Sequence, residues 1–214
     1  IKEVKAFDLE YESYSLLGIV YNELGESDKA IEYQNKALAI DAKTIPVEFQ
    51  SKATSLNNLG MVYQNLNENK KAIPYFQKGL GLKKELILYK PSVYAMLLDN
   101  LGYSRFKLNE SNGLPGLFYE SLKLRDSLQL TTGVIISKIH LSEYFASKND
   151  IVKAAQFSNE AIVTARKSKN ARNVLLALRQ LAVIEPVKAA VYNKEYIQIN
   201  DSLQKADRNI ADKF

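Results

Sequence analysis

The chain has 214 residues, 46% of them apolar and 25% charged, with a net charge of +5. This is the balance of an ordinary soluble folded protein, and no run approaches the roughly 18 uninterrupted apolar residues of a membrane span. There is no cysteine and a single histidine, His140, which excludes disulfides, thiolate metal sites and two-histidine sites such as HExxH.

The first residue is Ile1, and neither a charged n-region nor an apolar h-region follows. Either a signal has been removed or this is an excised piece of a longer protein, and the piece is the leading expectation. A leucine followed by a small residue then returns five times: Leu17-Gly18, Leu59-Gly60, Leu101-Gly102, Leu141-Ser142 and Leu181-Ala182, with the small residues 42, 42, 40 and 40 apart. A fixed period in this range predicts stacked helical repeats, each burying its face against its neighbours.

The first unit reads Tyr14 to Tyr21 around Gly18, then a turn over Leu24-Gly25-Glu26-Ser27, then Asp28 to Tyr33 around Ala30. The second repeats this with Gly60 and Tyr63, the turn Leu66 to Asn69, and Ala72 and Tyr75. Apolar residues recur at three and four, so both halves are read as amphipathic helices. Ser27, Asn69 and Asp150 fall where N-caps are expected. Glycine in mid-helix costs about 1 kcal/mol against alanine. A close approach of the paired helix would offset that cost at Gly18, Gly60, Gly102, Ser142 and Ala182. Ala30, Ala72 and Ala154 are expected to supply the matching small surface, with the leucine of each pair filling the seam.

The pattern weakens toward the C-terminus. The third unit has Arg105 where tyrosine is expected and Leu114 in place of the small alanine, and its turn carries Gly113, Pro115 and Gly116. A delayed start to its second helix follows. In the fifth unit Glu185-Pro186 replaces the turn, and a break is placed there. Gly79-Leu80-Gly81 is placed inside a helix as a structural element. The polar run to Phe214 is read as a capping or linker helix.

Tyr14, Leu17, Gly18, Tyr21 and Ala30, with Leu59, Gly60, Tyr63 and Ala72, closely resemble the tetratricopeptide repeat. The usual period of that family is shorter, so the extra residues here are expected to lengthen both helices by about one turn of 3.6 residues. The longer form resembles the repeats of kinesin light chains and of bacterial peptide-sensing regulators. The resemblance implies an all-α, right-handed superhelical solenoid of about five helix-turn-helix repeats, over 5–44, 46–88, 89–130, 131–169 and 170–200, with a capping or linker helix over 200–214. The tail also resembles the segment that follows such arrays in bacterial signalling proteins, ahead of a membrane helix and histidine kinase or of a helix-turn-helix regulator. A membrane tether beyond Phe214 would then be indirect. Periplasm and cytoplasm both fit.

No nucleophile elbow, Walker loop or dinucleotide loop occurs, and no catalytic residue, cofactor or metal is expected. Two residues before each small residue stand Leu16, Asn58, Asn100, His140 and Gln180. In the tetratricopeptide family this face of the first helix lines the groove that holds a peptide. A side-chain amide offers donor and acceptor together and can grip an extended backbone whatever its sequence. Asn58, Asn100, His140 and Gln180, with Asn65, are thus candidate groove residues, and Met61, Met96 and Tyr103 would add apolar contact. The alternative is that these polar groups are solvated or bond adjacent helices. The Lys-Asn-Arg clamp by which some family members hold a chaperone C-terminus is matched only at Asn58.

The leading expectation is a non-catalytic module binding a protein or an extended peptide, as sensor or scaffold of a bacterial signalling protein. The alternative is a structural module forming homo-oligomers through convex faces or terminal helices. Contact with nucleic acid by the basic residues of 161–190 (Arg166, Lys167, Lys169, Arg172, Arg179 and Lys188) ranks third, since no recognition motif accompanies them.

Overall fold

The computed structural model describes residues 2–41 and 49–211. The expected boundary between the first two repeats, at 44–46, and the last residues of the tail lie outside them. The described residues form eleven α-helices and one 3-10 turn, with no strand among them. They belong to two compact units, 1–124 and 125–214, where the sequence suggests one array.

In unit 1, α1 (Lys2–Glu23) pairs with α2 (Ser27–Asp41), and α3 (Phe49–Asn65) pairs with α4 (Asn69–Leu80). A short α5 (Lys83–Tyr89) leads into α6 (Pro91–Lys107), followed by α7 (Gly116–Ser127), whose last residues belong to unit 2. Unit 2 continues with α8 (Thr131–Ser147) paired to α9 (Ile151–Lys167), then α10 (Ala171–Ile184), the 3-10 turn Pro186–Lys188 and α11 (Ala189–Ala211). The core of unit 1 gathers Ala72, Phe76, Leu86, Leu97 and Leu98, and that of unit 2 gathers Ile135, Ala161, Ile162, Leu178 and Leu181.

The third helix pair has two left-handed residues in its loop, one of them Gly113 (φ 78°), and each of the first four pairs carries one just after its first helix. These are Gly25 (φ 76°), Asn67 (φ 59°), Asn109 (φ 58°) and Asn149 (φ 59°). Glycine and asparagine are the residues that enter this region most cheaply at a helix C-terminus. The following N–H then closes back on the helix: Glu26 on the Tyr21 carbonyl at 2.9 Å, Glu68 on Tyr63 at 2.8 Å, Glu110 on Arg105 at 2.9 Å and Asp150 on Phe145 at 2.9 Å. Side chains fasten three of these turns in the same way, the fourth-repeat one through Lys153, which pairs with Asp150 and lies 4.9 Å from the centroid of the Phe145 ring. Lys29 pairs with Glu26 and lies over the Tyr21 ring, 4.9 Å from its centroid, and Lys71 pairs with Glu68 and lies 5.8 Å from that of Tyr63. The hydrogen bond to its carboxylate holds Lys29, and likewise Lys71, above the ordinary pKa.

The steric reading of the small residues needs one correction. Ala30, Ala72 and Ala154 are fully buried, but the groups lying over the small residues come one turn later. A Cβ built on Gly18 would lie 2.5 Å from Gln34 Nε2, one on Gly60 2.3 Å from Phe76 Cε1, and one on Gly102 2.8 Å from Phe118 Cε1. In the fourth repeat Ser142 donates to the Ala154 carbonyl and shares a hydrogen bond with Ser158 Oγ at 2.7 Å. The helices therefore close on Gln34, Phe76, Phe118 and Ser158, each sixteen residues after its small partner. Ala182 is half-buried.

Five further expectations change. Asp150 caps α9 by accepting the Lys153 N–H at 3.1 Å. Asn69, however, is the first residue of α4 with Glu68 at the cap position, because the left-handed residue at Asn67 starts the helix one residue early. Gly79-Leu80-Gly81 does not lie inside a helix: α4 ends at Leu80 and Gly81 is its C-cap. The extra residues of this repeat form the separate α5 rather than a longer helix. At the other end, residues 200–211 continue α11 and do not form a helix of their own. Finally, Leu59, Leu101, Leu141 and Leu181 are buried, but Leu17 is 38% exposed, since no described helix covers that side of α1.

Candidate functional site

The helix spacing that brings the small residues to one seam carries the side chains around Gly18 and Asn58 to a shared opening in unit 1. A cavity of about 180 Å³ lies between α1, α2 and α3, lined by Gly18, Ile19, Asn22, Glu23, Gln34, Asn58, Met61, Val62 and Asn65. Asn58, Met61 and Asn65 are three of the expected groove residues. Gln34 was not anticipated. Its signal was present in the sequence as an amide at the address that holds Phe76 and Phe118 in the next two repeats.

Gln34 is fully buried, and its Nε2 donates to the Ser15 carbonyl at 2.9 Å. A carbonyl only accepts, so this bond fixes the amide's orientation and leaves Oε1 on the opposite side. There it accepts from Asn58 Nδ2 at 3.5 Å, a long and weak contact. At the rim Asn65 Nδ2 donates to Asn22 Oδ1 at 3.1 Å. Ile19, Met61 and Val62 supply apolar wall.

The adjoining seam between α3 and α6 is closed. Asn100 Nδ2 donates to Asn57 Oδ1 at 2.8 Å, and buried Asn57 passes its own N–H to the Met61 sulfur at 3.3 Å. Gln64 Nε2 reaches both the Asn100 carbonyl and Ser104 Oγ at 2.8 Å. Here the amides tie helix to helix, so Asn100 is first a structural residue. Met96 is half-buried against the unit 1 core. Tyr103 packs beside Phe106 with Lys107 over its ring.

The two candidates of unit 2 fare differently from Asn58. Gln180, expected on the groove, is buried and donates to Ser142 Oγ at 3.2 Å. Its amide completes the polar seam around Ser142. His140 is half-buried on α8. Of the basic residues in 161–190, Arg166 holds both carboxylate oxygens of Glu195, at 3.1 and 3.0 Å, and Lys188 pairs with Glu185 at 2.7 Å. Among the described residues no cluster of histidine and carboxylates could hold a metal, and no helix is long and apolar enough to cross a membrane.

Residues 9–85 match the family model of the tetratricopeptide repeat. No curated protein matches it in sequence. Among solved structures the apo form of RapI is similar, at 16% identity over 92% of this chain and 71% of RapI, with a TM-score of 0.76. So is a Rap protein complexed with competence and sporulation factor, at 14% identity over 92% of this chain and 66% of that one, TM-score 0.64. A putative kinesin light chain repeat protein of Podosopora anserina matches at 14% identity over 91% of this chain and 96% of its own, TM-score 0.66. These likenesses show the fold, an all-α repeat solenoid.

Proposed function

We propose that the chain is a non-catalytic module that binds an extended peptide or a peptide segment of a protein, with the unit 1 cavity as its primary contact. The observation that carries this is the convergence of Asn58, Asn65, Asn22 and buried Gln34 on one opening with apolar walls. Such a site is concave, largely apolar and furnished with a few fixed polar groups, the usual make-up of a ligand site. The Rap protein solved with competence and sporulation factor supports the reading, since a chain of similar fold holds a signalling factor. A place as sensor or scaffold in bacterial signal transduction follows as part of the proposal.

Asn58→Ala tests it. Among the described residues the Asn58 side chain hydrogen-bonds only to Gln34, across the long contact, so the variant keeps its thermal midpoint while peptide affinity falls about tenfold, the equivalent of 1.4 kcal/mol. Unchanged affinity in a folded Asn58→Ala protein would remove the cavity from the binding role. Asn100→Ala is the poorer probe, because it strands the buried Asn57 amide.

A second reading has its own observation. Leu9, Leu16 and Val20 form an exposed apolar stripe on α1, with Leu9 66% and Leu16 62% exposed. Self-association along this face would cover it. Sedimentation of Leu16→Glu against the wild type decides: the same monomeric state for both rules it out.

A further inference from the structure

The chemistry left over in the cavity leans toward acceptors. Gln34 Oε1 retains a lone pair beyond its weak contact with Asn58. Asn58 donates with its NH₂ and keeps its carbonyl oxygen, as does Asn65, whose NH₂ goes to Asn22. Glu23 adds a carboxylate to the lining and has no ion-pair partner among the described residues. Against these acceptors stand the N–H groups that the amides do not use, two on Asn22 and one each on Asn58 and Asn65, none of them charged. The one charged group in the lining is the Glu23 carboxylate, which favours a group that brings N–H donors and a positive charge.

The surroundings agree in sign. The whole chain carries +5, yet residues 9–40 hold six carboxylates against two lysines. Both lysines are engaged, Lys29 with Glu26 and Lys36 with Glu32. This leaves Glu10, Glu12, Glu23 and Asp28 to set the local field. Helix spacing puts Glu12, Leu16, Ile19 and Glu23 on one stripe of α1, so a second carboxylate lies two turns along from the cavity edge at Ile19. At about 180 Å³ the opening is smaller than the usual pocket for a whole small molecule. It suits one side chain with an apolar stem lying between Ile19, Val62 and the Met61 thioether.

We infer that the cavity is a specificity pocket for a basic side chain, arginine or lysine, of the bound peptide. This rests on the binding reading above and narrows it to a class of partner. The stem packs on Met61 and Val62, and the head meets Glu23 and the free amide oxygens. The polar residue Gln34, set where the next two repeats carry phenylalanine, opens the space.

The experiment is a selection of displayed random peptides on the intact chain, followed by fluorescence anisotropy with the selected sequences. Two variants accompany it. Glu23→Gln removes the charge from an exposed position. Gln34→Phe restores the residue type found over Gly60 and Gly102 and so plugs the cavity within a packing the fold already uses. The inference expects selected peptides to share one arginine or lysine, and affinity to fall at least tenfold in each variant. Replacing that basic residue by leucine in the peptide should cost as much in the wild type and little in Glu23→Gln. Peptides that bind without a basic residue, or that ignore both variants, would overturn the inference and leave the binding role standing. Failure to select any peptide would overturn both.

Discussion

Where α3 meets α4 in unit 1, Gly60 lies under the ring of fully buried Phe76. Where α8 meets α9 in unit 2, the same address holds Ser142 against Ser158, with the Gln180 amide bonded to the pair. One seam is closed by shape, the other by a buried hydrogen-bond network. Both keep the helices close, yet they distribute the energy differently. A ring over a glycine gains by burial and dispersion, without direction. A network of three polar side chains gains little net and loses heavily when one member is removed. The α1–α2 seam stands between them: Gly18 faces an amide in place of a ring, and that seam alone among the three lies beside the cavity described above.

The largest effect is expected at the apolar seam. Phe76→Ala removes a ring that fills the space over a glycine, and neither neighbour can expand to replace it. A loss of about 3–5 kcal/mol is expected, read as a fall in the denaturation midpoint. A loss under 1 kcal/mol would mean that the backbones collapse over the gap and that shape is not what holds this seam. Ser142→Ala is the counterpart in unit 2. It deprives Ser158 and Gln180 of a shared partner inside a buried site, and about 1–3 kcal/mol is expected. Adding Gln180→Leu to it should recover part of that loss, whereas independent effects would simply add.

Gln34→Phe sharpens the comparison from the other side. It converts the first seam to the form of the second and removes a buried amide whose best contact beyond Ser15 is the 3.5 Å bond from Asn58. Stability should stay within about 1 kcal/mol of the wild type, measured by urea denaturation. A large loss would show that Gln34 is a structural keystone and that its polarity has nothing to do with the opening beside it.

How much of this could be read from residue order differs by kind of feature. The Leu-Gly period and the Tyr-Ala echo identify the helix pairs because the same contact is remade at each repeat. Gly25, Asn67, Asn109 and Asn149 hold the same place in four turns, a signal as regular as the first. The break at Gly81 is hidden because Gly79 to Leu86 keeps helical apolar spacing. Buried Gly79 admits the Leu97 side chain so closely that a Cβ there would lie 2.8 Å from it, a tertiary contact that no local pattern announces. The amides are the hardest case. Asn58 and Gln180 hold the same address in their repeats, yet one lines a cavity and the other is buried under Ser142. Which of the two occurs depends on the residue facing them from the neighbouring helix, Gln34 or Ser158.

The smallest expected effect concerns acid, and it belongs to unit 2. Glu185 accepts from Lys188 Nζ at 2.7 Å, from Asn159 Nδ2 at 3.1 Å and from the Tyr192 hydroxyl at 3.1 Å, so one carboxylate ties α9 and α11 to the end of α10. The Lys188 hydrogen bond, aided by Asn159 and Tyr192 and opposed by burial, holds its pKa below the ordinary value. A folded-state pKa below the unfolded one gives stability that is complete above the unfolded value, about 4.3 for glutamate, and is lost as pH falls through the folded value. The partners are partly solvated, so the contribution should stay under about 1 kcal/mol. Comparing wild type with Glu185→Gln isolates it from every other carboxylate. The thermal midpoint of the variant should lie below the wild type at pH 7 and converge on it below pH 4. A gap that persists unchanged into acid would assign the difference to packing around Tyr192 and not to the charge.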